Sequence, residues 1–142
     1  MSAAPVTAVM PLYNAGSVVG DALATLRAQV PPPAEVIVID DGSTDEGAAI
    51  VAAAEVPGIT LIRQVNRGVA AARNAGLTAA TFPLVAFLDA DDLWCPGHIA
   101  SLLALAERFP DAAIVGARFT PVPPSATAAW AMAMTPGEAT LR

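Results

Sequence analysis

Short apolar runs alternate with segments of helical period along this chain. Val6 to Met10 is an unbroken apolar stretch apart from Thr7 and reads as a buried strand, closed by Pro11 and the polar turn Asn14-Ala15-Gly16-Ser17. Ser17 is placed to cap a helix whose apolar positions Val19, Leu23, Leu26 and Val30 recur every three or four residues. Pro31-Pro32-Pro33 stops it. Glu35 to Asp40 is a second strand, apolar through its middle as strands covered on both faces are. Ser43 and Glu46 have capping-box spacing for a helix to about Ala54, and Pro57-Gly58 precedes a third strand, Ile59 to Gln64. A small-residue helix from Gly68 to Ala80, a strand from Leu84 to Leu88, a helix opened by Pro96 and a last strand from Ala112 to Phe119 complete the pattern.

Strands alternating with helices predict an α/β fold with a mainly parallel, Rossmann-like sheet flanked by helices. Ligands in such sheets bind beyond the carboxyl ends of the strands. Three polar segments fall at those ends, Pro11–Ser17, Asp40–Asp45 and Asp89–Asp92, and are expected to converge on one crevice. Beyond Phe119 the periodicity fades, so the reading divides the chain into a domain over 1–119 and an irregular Pro/Ala-rich tail over 120–142.

Composition narrows the classes. The chain has 142 residues, 55% hydrophobic and 14% charged, which suits one domain with a packed core and excludes disorder. Net charge is −6 and all seven basic residues are arginine, so a nucleic-acid partner is not expected. No apolar run approaches the roughly 20 residues of a membrane span. The N-terminus has no basic region of a secretion signal, and the single Cys95 suits a reducing compartment. A cytoplasmic location is expected, with peripheral association at the inner face of the membrane left open.

Three segments carry candidate chemistry. Asp89, Asp91 and Asp92 crowd three carboxylates into one loop, an arrangement that repulsion disfavours unless a hard divalent ion such as Mg²⁺ or Mn²⁺ compensates; the alternative is a solvated acidic turn capping the next helix. Asp40 and Asp41 are expected to project into the crevice beside the Gly42 turn, where a carboxylate accepts hydrogens from a nucleobase; ordinary turn and capping chemistry is the alternative. Arg73 and Asn74 interrupt a smooth helix, and Arg73 reaches either a diphosphate or one of the aspartates. Tyr13 is placed to stack on a base. No Gly-x-Gly-x-x-Gly or Walker A sequence occurs, and a receiver-like domain would need a lysine near the acidic cluster, which this chain lacks.

Four segments together resemble the family 2 glycosyltransferases of the GT-A fold: Val9–Asn14, Val38–Asp45, Asn66–Gly76 and Phe87–Asp92, in the family's order and spacing. The resemblance implies a nucleotide-sugar donor, UDP-linked by expectation, with Pro11, Tyr13, Asn14, Asp41, Arg73 and Asp89 on the donor side. It further implies an Asp-x-Asp motif in which Asp91, Asp89 and Asp92 hold Mn²⁺ or Mg²⁺. The acceptor, whether saccharide, lipid or protein, is not implied. Family members place an acidic base well beyond this motif. Glu138 is the one acid in the last stretch and its surroundings do not match, so no catalytic base is assigned and the chain is expected to be a truncated, donor-binding portion. A non-catalytic module that holds a nucleotide sugar or nucleoside diphosphate is the alternative.

Overall fold

The computed structural model describes residues 2–117, 119, 127 and 128. Four parallel strands form one sheet in the order β3-β2-β1-β4, with β1 Ala4–Leu12, β2 Pro33–Asp40, β3 Ile59–Arg63 and β4 Leu84–Phe87. The helices are α1 Val19–Arg27, α2 Gly47–Ala52, α3 Val69–Ala79 and α4 His98–Arg108. The parallel α/β architecture expected from the alternating pattern is present.

The central strands β1 and β2 are buried on both faces, which is why they read as continuous apolar runs. Side-chain alternation divides the core in two. Val6, Ala8, Met10, Val36 and Val38 face α1, α2 and the Trp94–Ile99 segment, while Ile37 and Ile39 face Ala72 and Ala75 of α3. Because α3 carries only small residues on that side, it lies close against the sheet: a Cβ built on Gly76 would stand 2.3 Å from Val9 Cγ1. The register pairs Leu12 with Asp40 and Val9 with Phe87, so the chain leaves β1, β2 and β4 at the same end of the sheet.

Several local expectations give way. Ser17 does not cap α1, which begins at Val19 because the Ala15 carbonyl already accepts the N–H groups of Val18 and Val19. The helix stops at Arg27, leaving Val30 exposed. Ser43 and Glu46 form no capping box; the Ser43 hydroxyl accepts the N–H of Asn14 instead, and α2 is only six residues long. The helix expected from Pro96 starts at His98. The strand expected over Ala112–Phe119 is absent from its described residues, which leave Ile114 and Phe119 almost fully exposed, without the core contacts that hold a strand in place. The tail over 120–142, Glu138 included, lies outside the described residues apart from Thr127 and Ala128. None of the described helices is long and apolar enough to cross a membrane.

Candidate active site at the strand ends

The three polar segments meet. Around the carboxyl ends of β1, β2 and β4 lies an open cavity of about 560 Å³, lined among others by Pro11, Tyr13 and Asn14 after β1, Asp41 after β2, Gly68 before α3, and Asp89 and Asp91 after β4. Asp41 and Asp91 therefore open onto the same crevice.

Asp40 and Asp41 part company at the end of β2. Asp40 is wholly inaccessible, accepting the Ser43 N–H at 3.0 Å and the Nε–H of Arg63 at 2.8 Å, its register partner on β3. It shapes the turn and does not enter the crevice, contrary to expectation. Asp41 is 3% exposed, and its carboxylate accepts the Gln64 amide and the Arg67 N–H on Oδ1 and the Gly68 N–H on Oδ2, all at 2.8 Å. That leaves Oδ2 with a lone pair to spare for a hydrogen from a ligand. Burial pushes the Asp41 carboxyl up, but the Gln64 side chain, the two backbone N–H groups and the Arg67 charge outweigh it and hold the group below its ordinary value. Gly68 sits at φ +88°, a conformation that side chains strain, and so turns its N–H onto Asp41.

The loops from β1 and β2 are latched together. Asn14, itself at φ 46°, accepts the Thr44 N–H at 2.8 Å through its side-chain oxygen, while Asp45 accepts the N–H groups of Gly16 and Gly47. Those two bonds hold the Asp45 carboxyl below its ordinary value, as the Thr7 hydroxyl and the Thr81 N–H do for Glu35. Tyr13 lines the cavity and is 54% exposed.

Across the crevice, ligand oxygens of Asp89, Asp91 and Asp92 lie within 4.8 Å of one another. Asp89 is paired: the Arg73 Nη2 donates to both its oxygens, at 2.7 and 3.0 Å. Arg73 thus resolves as a partner of the acidic loop reached from α3. Burial, then the charges of Asp91 and Asp89, push the Asp92 carboxyl up. Asp92 belongs to the cluster without lining the cavity itself. His98 stacks on the buried Trp94 at 4.8 Å, and burial lowers its imidazole; neither residue lines the cavity.

The depressed carboxyls make an acid-stability prediction. Glu35, Asp41 and Asp45 have folded pKa values below their unfolded ones, so their stabilisation is complete above the ordinary carboxylate range and is lost as pH falls below about 4.5. Asp92, shifted upward, works in the opposite sense over the same range. Urea midpoints of the wild type should therefore fall on acidification more steeply than those of Asp45→Asn, the two curves approaching each other near pH 3. Parallel curves would contradict the assigned hydrogen bonds.

Residues not foreseen individually include Gln64, the side-chain support of Asp41, and the buried pair Thr25 and Gln29, whose bonds run to the segment after the acidic loop. None has a local signal, because each acts through a partner far away in the sequence.

Solved structures similar to this chain include complexes with nucleotide sugars. The crystal structure of S. aureus TarS 1–349 in complex with UDP-GlcNAc superposes with a TM-score of 0.66 at 26% identity, covering 74% of this chain and 32% of that one. The mannosyltransferase PcManGT from Pyrobaculum calidifontis, in complex with GDP-Man and Mn²⁺, gives 0.62 at 31% identity over 82% of this chain and 35% of that one. The fold is that of the GT-A glycosyltransferases. The family model described as glycosyl transferase family 2 matches residues 7–140, and the chain belongs to that family. Among curated relatives, the succinoglycan biosynthesis protein ExoU of Rhizobium meliloti (strain 1021) is 41% identical over 108 residues, 72% of this chain. The match spans only 31% of ExoU, so the chain corresponds to about a third of that relative's length.

Proposed function

We propose that this chain binds a nucleotide sugar with a divalent cation and serves transfer of the sugar to an acceptor hydroxyl. The observation that carries the reading is the meeting of Asp41 and the Asp89–Asp91–Asp92 cluster around one cavity at the strand ends. The residues present fit a hard cation: ligand oxygens of three carboxylates lie within 4.8 Å of one another, and Arg73 compensates only Asp89. Asp91, with Asp89 and Asp92, would hold Mn²⁺ or Mg²⁺, which when bound supplies positive charge to the departing diphosphate.

Each side chain then has a task. Asp41 accepts a base hydrogen on Oδ2, held rigid from behind by Gln64 and the Arg67–Gly68 backbone. Tyr13 and Pro11 flank the base and ribose, and Asn14 fixes the loop that carries them by bonding Thr44. Arg73 keeps Asp89 turned toward its neighbours. In the transfer, an acceptor hydroxyl oxygen forms a bond to the anomeric carbon and loses its proton to solvent in the open cavity, while the bond from that carbon to the phosphate oxygen breaks and the nucleoside diphosphate leaves with the electron pair. UDP is the favoured diphosphate; the location stays with the cytoplasmic expectation, and association with the inner membrane face is compatible with it.

A second reading, a module that holds the nucleotide sugar without turnover, is favoured by one observation. Among the described residues at the cavity, Asp41 is committed to hydrogen bonds, Asp89 to Arg73 and Asp91 to the cation cluster, so no carboxylate is left to take the acceptor's proton. Titrating UDP and UDP-sugars with and without Mn²⁺, then assaying released UDP, separates the two: release supports transfer chemistry, while saturable binding without release supports the module. Asp41→Asn keeps the shape of the side chain but places a donor where the base hydrogen arrives. It is expected to weaken UDP binding about tenfold with or without metal. Unchanged affinity would remove Asp41 from the base pocket.

A further inference from the structure

We infer that Gln29 and Thr25 are positioning residues for the acidic loop, two buried side chains reached from α1 that fix where Asp91 and Asp92 stand and so set the affinity for the cation. The inference rests on the reading of Asp91 and its neighbours as the cation-holding group. Gln29 lies just past the end of α1 and is 2% exposed. Its amide nitrogen donates to the carbonyls of Thr25 and Cys95, both at 3.1 Å, and its amide oxygen accepts the N–H of Ile99 at 3.2 Å. Thr25, fully inaccessible, donates its hydroxyl to the Ala22 carbonyl at 2.8 Å and accepts the Trp94 N–H at 3.2 Å.

These bonds do two things at once. Ile99 is the second residue of α4, so its N–H has no partner within its own helix, and Gly97 at the cap has no side chain to offer. Gln29 performs the capping from another helix. The bonds also secure the far end of the acidic loop. Its near end is held by the Leu88 N–H on the Val9 carbonyl and by Arg73 on Asp89, and the Asp92 N–H closes a turn on the Asp89 carbonyl. From Leu93 to Ile99, among the described residues, the hydrogen bonds arriving from distant parts of the chain come from Thr25 and Gln29. Asp91 and Asp92 are exposed, carry like charges in one loop and lie on the span between the two anchors. Without the far anchor their repulsion relaxes by opening the loop. With it, the carboxylates are held at the separation a single ion needs, as supporting hydrogen bonds do for ligands generally.

The test uses near-isosteric variants of the full chain: Gln29→Met and Thr25→Val, which keep volume and lose the bonds, and Thr25→Ser, which keeps the hydroxyl. Mn²⁺ binding in the presence of saturating UDP is read from the free-ion electron paramagnetic resonance signal. UDP affinity in EDTA is read by calorimetry and the fold by circular dichroism. The expected result is Mn²⁺ affinity lowered about tenfold in Gln29→Met and Thr25→Val, UDP affinity in EDTA unchanged, and Thr25→Ser close to wild type. Folded variants that lower the melting temperature yet bind Mn²⁺ as the wild type does would overturn the inference. If Gln29→Met does not fold, the two Thr25 variants decide by the same criterion. Failure of the underlying cation reading shows separately, as a wild type that takes up no Mn²⁺ with UDP.

Discussion

Replacing Asp91 by alanine is expected to abolish the enhancement of UDP binding by Mn²⁺ while leaving the metal-free affinity and the fold intact. Asp91 is exposed and at the cavity wall, so its truncation opens no space in the core. Its carboxylate, unlike that of Asp89, has no arginine partner among the described residues, and it lines the cavity where a cation would meet the diphosphate. Losing a ligand of this kind is expected to cost at least the roughly 10- to 100-fold in metal affinity that loss of a supporting residue costs. Asp89→Ala should act differently, because it also releases Arg73 from its two bonds. Calorimetric titration of UDP with Mn²⁺ or EDTA checks both; an Asp91→Ala protein with full Mn²⁺ dependence would take Asp91 out of the cation site.

The second large effect lies in the packing that positions the site. Gly76→Ala would put a methyl group 2.3 Å from Val9 Cγ1 and 3.2 Å from Cγ2, and Val9 is fully buried at the middle of β1 between β2 and β4. A β-branched residue in a central strand has little freedom to turn aside, so α3 itself must move. The expected cost is about 3 kcal/mol, even after the gain in helix propensity from replacing glycine. Gly20→Ala on α1 is the control: nothing lies within 4 Å of its new Cβ, so propensity alone acts and stability should rise by up to about 1 kcal/mol. Urea denaturation of the two variants against wild type measures this. If Gly76→Ala is as stable as wild type, the close approach of α3 to the sheet is wrong. The displaced helix should also disturb nucleotide binding, since Gly68, Val69 and Ala72 line the cavity.

The parts of this arrangement that the sequence made legible are those with local causes. β1 and β2 stood out because strands covered on both faces must be apolar throughout, and α3 because only small residues recur along the face that approaches Val9 and Ile39. Once the strands are parallel, the carboxyl-end rule brings Asp41 and Asp91 to one side without further information. What stayed hidden was decided by distant partners. Ser43 looks like a helix cap from its own neighbourhood, yet its hydroxyl takes an N–H from a loop 29 residues away. Asp40 and Asp41 are chemically identical neighbours, but strand alternation turns one toward Arg63 on β3 and the other toward the 64–68 turn. Ala112–Phe119 has the composition of a strand, but its described residues pair with neither free edge of the sheet, β3 or β4, and leave Ile114 and Phe119 exposed.

The most direct measurement is a crystal of this chain grown with UDP and Mn²⁺, with anomalous diffraction recorded at the manganese edge. The account predicts one manganese peak about 2.0–2.2 Å from an Asp91 carboxylate oxygen, touching the diphosphate, with the uracil beside Asp41. A manganese peak away from the acidic loop, or UDP seated outside the cavity between Asp41 and Asp91, would contradict it.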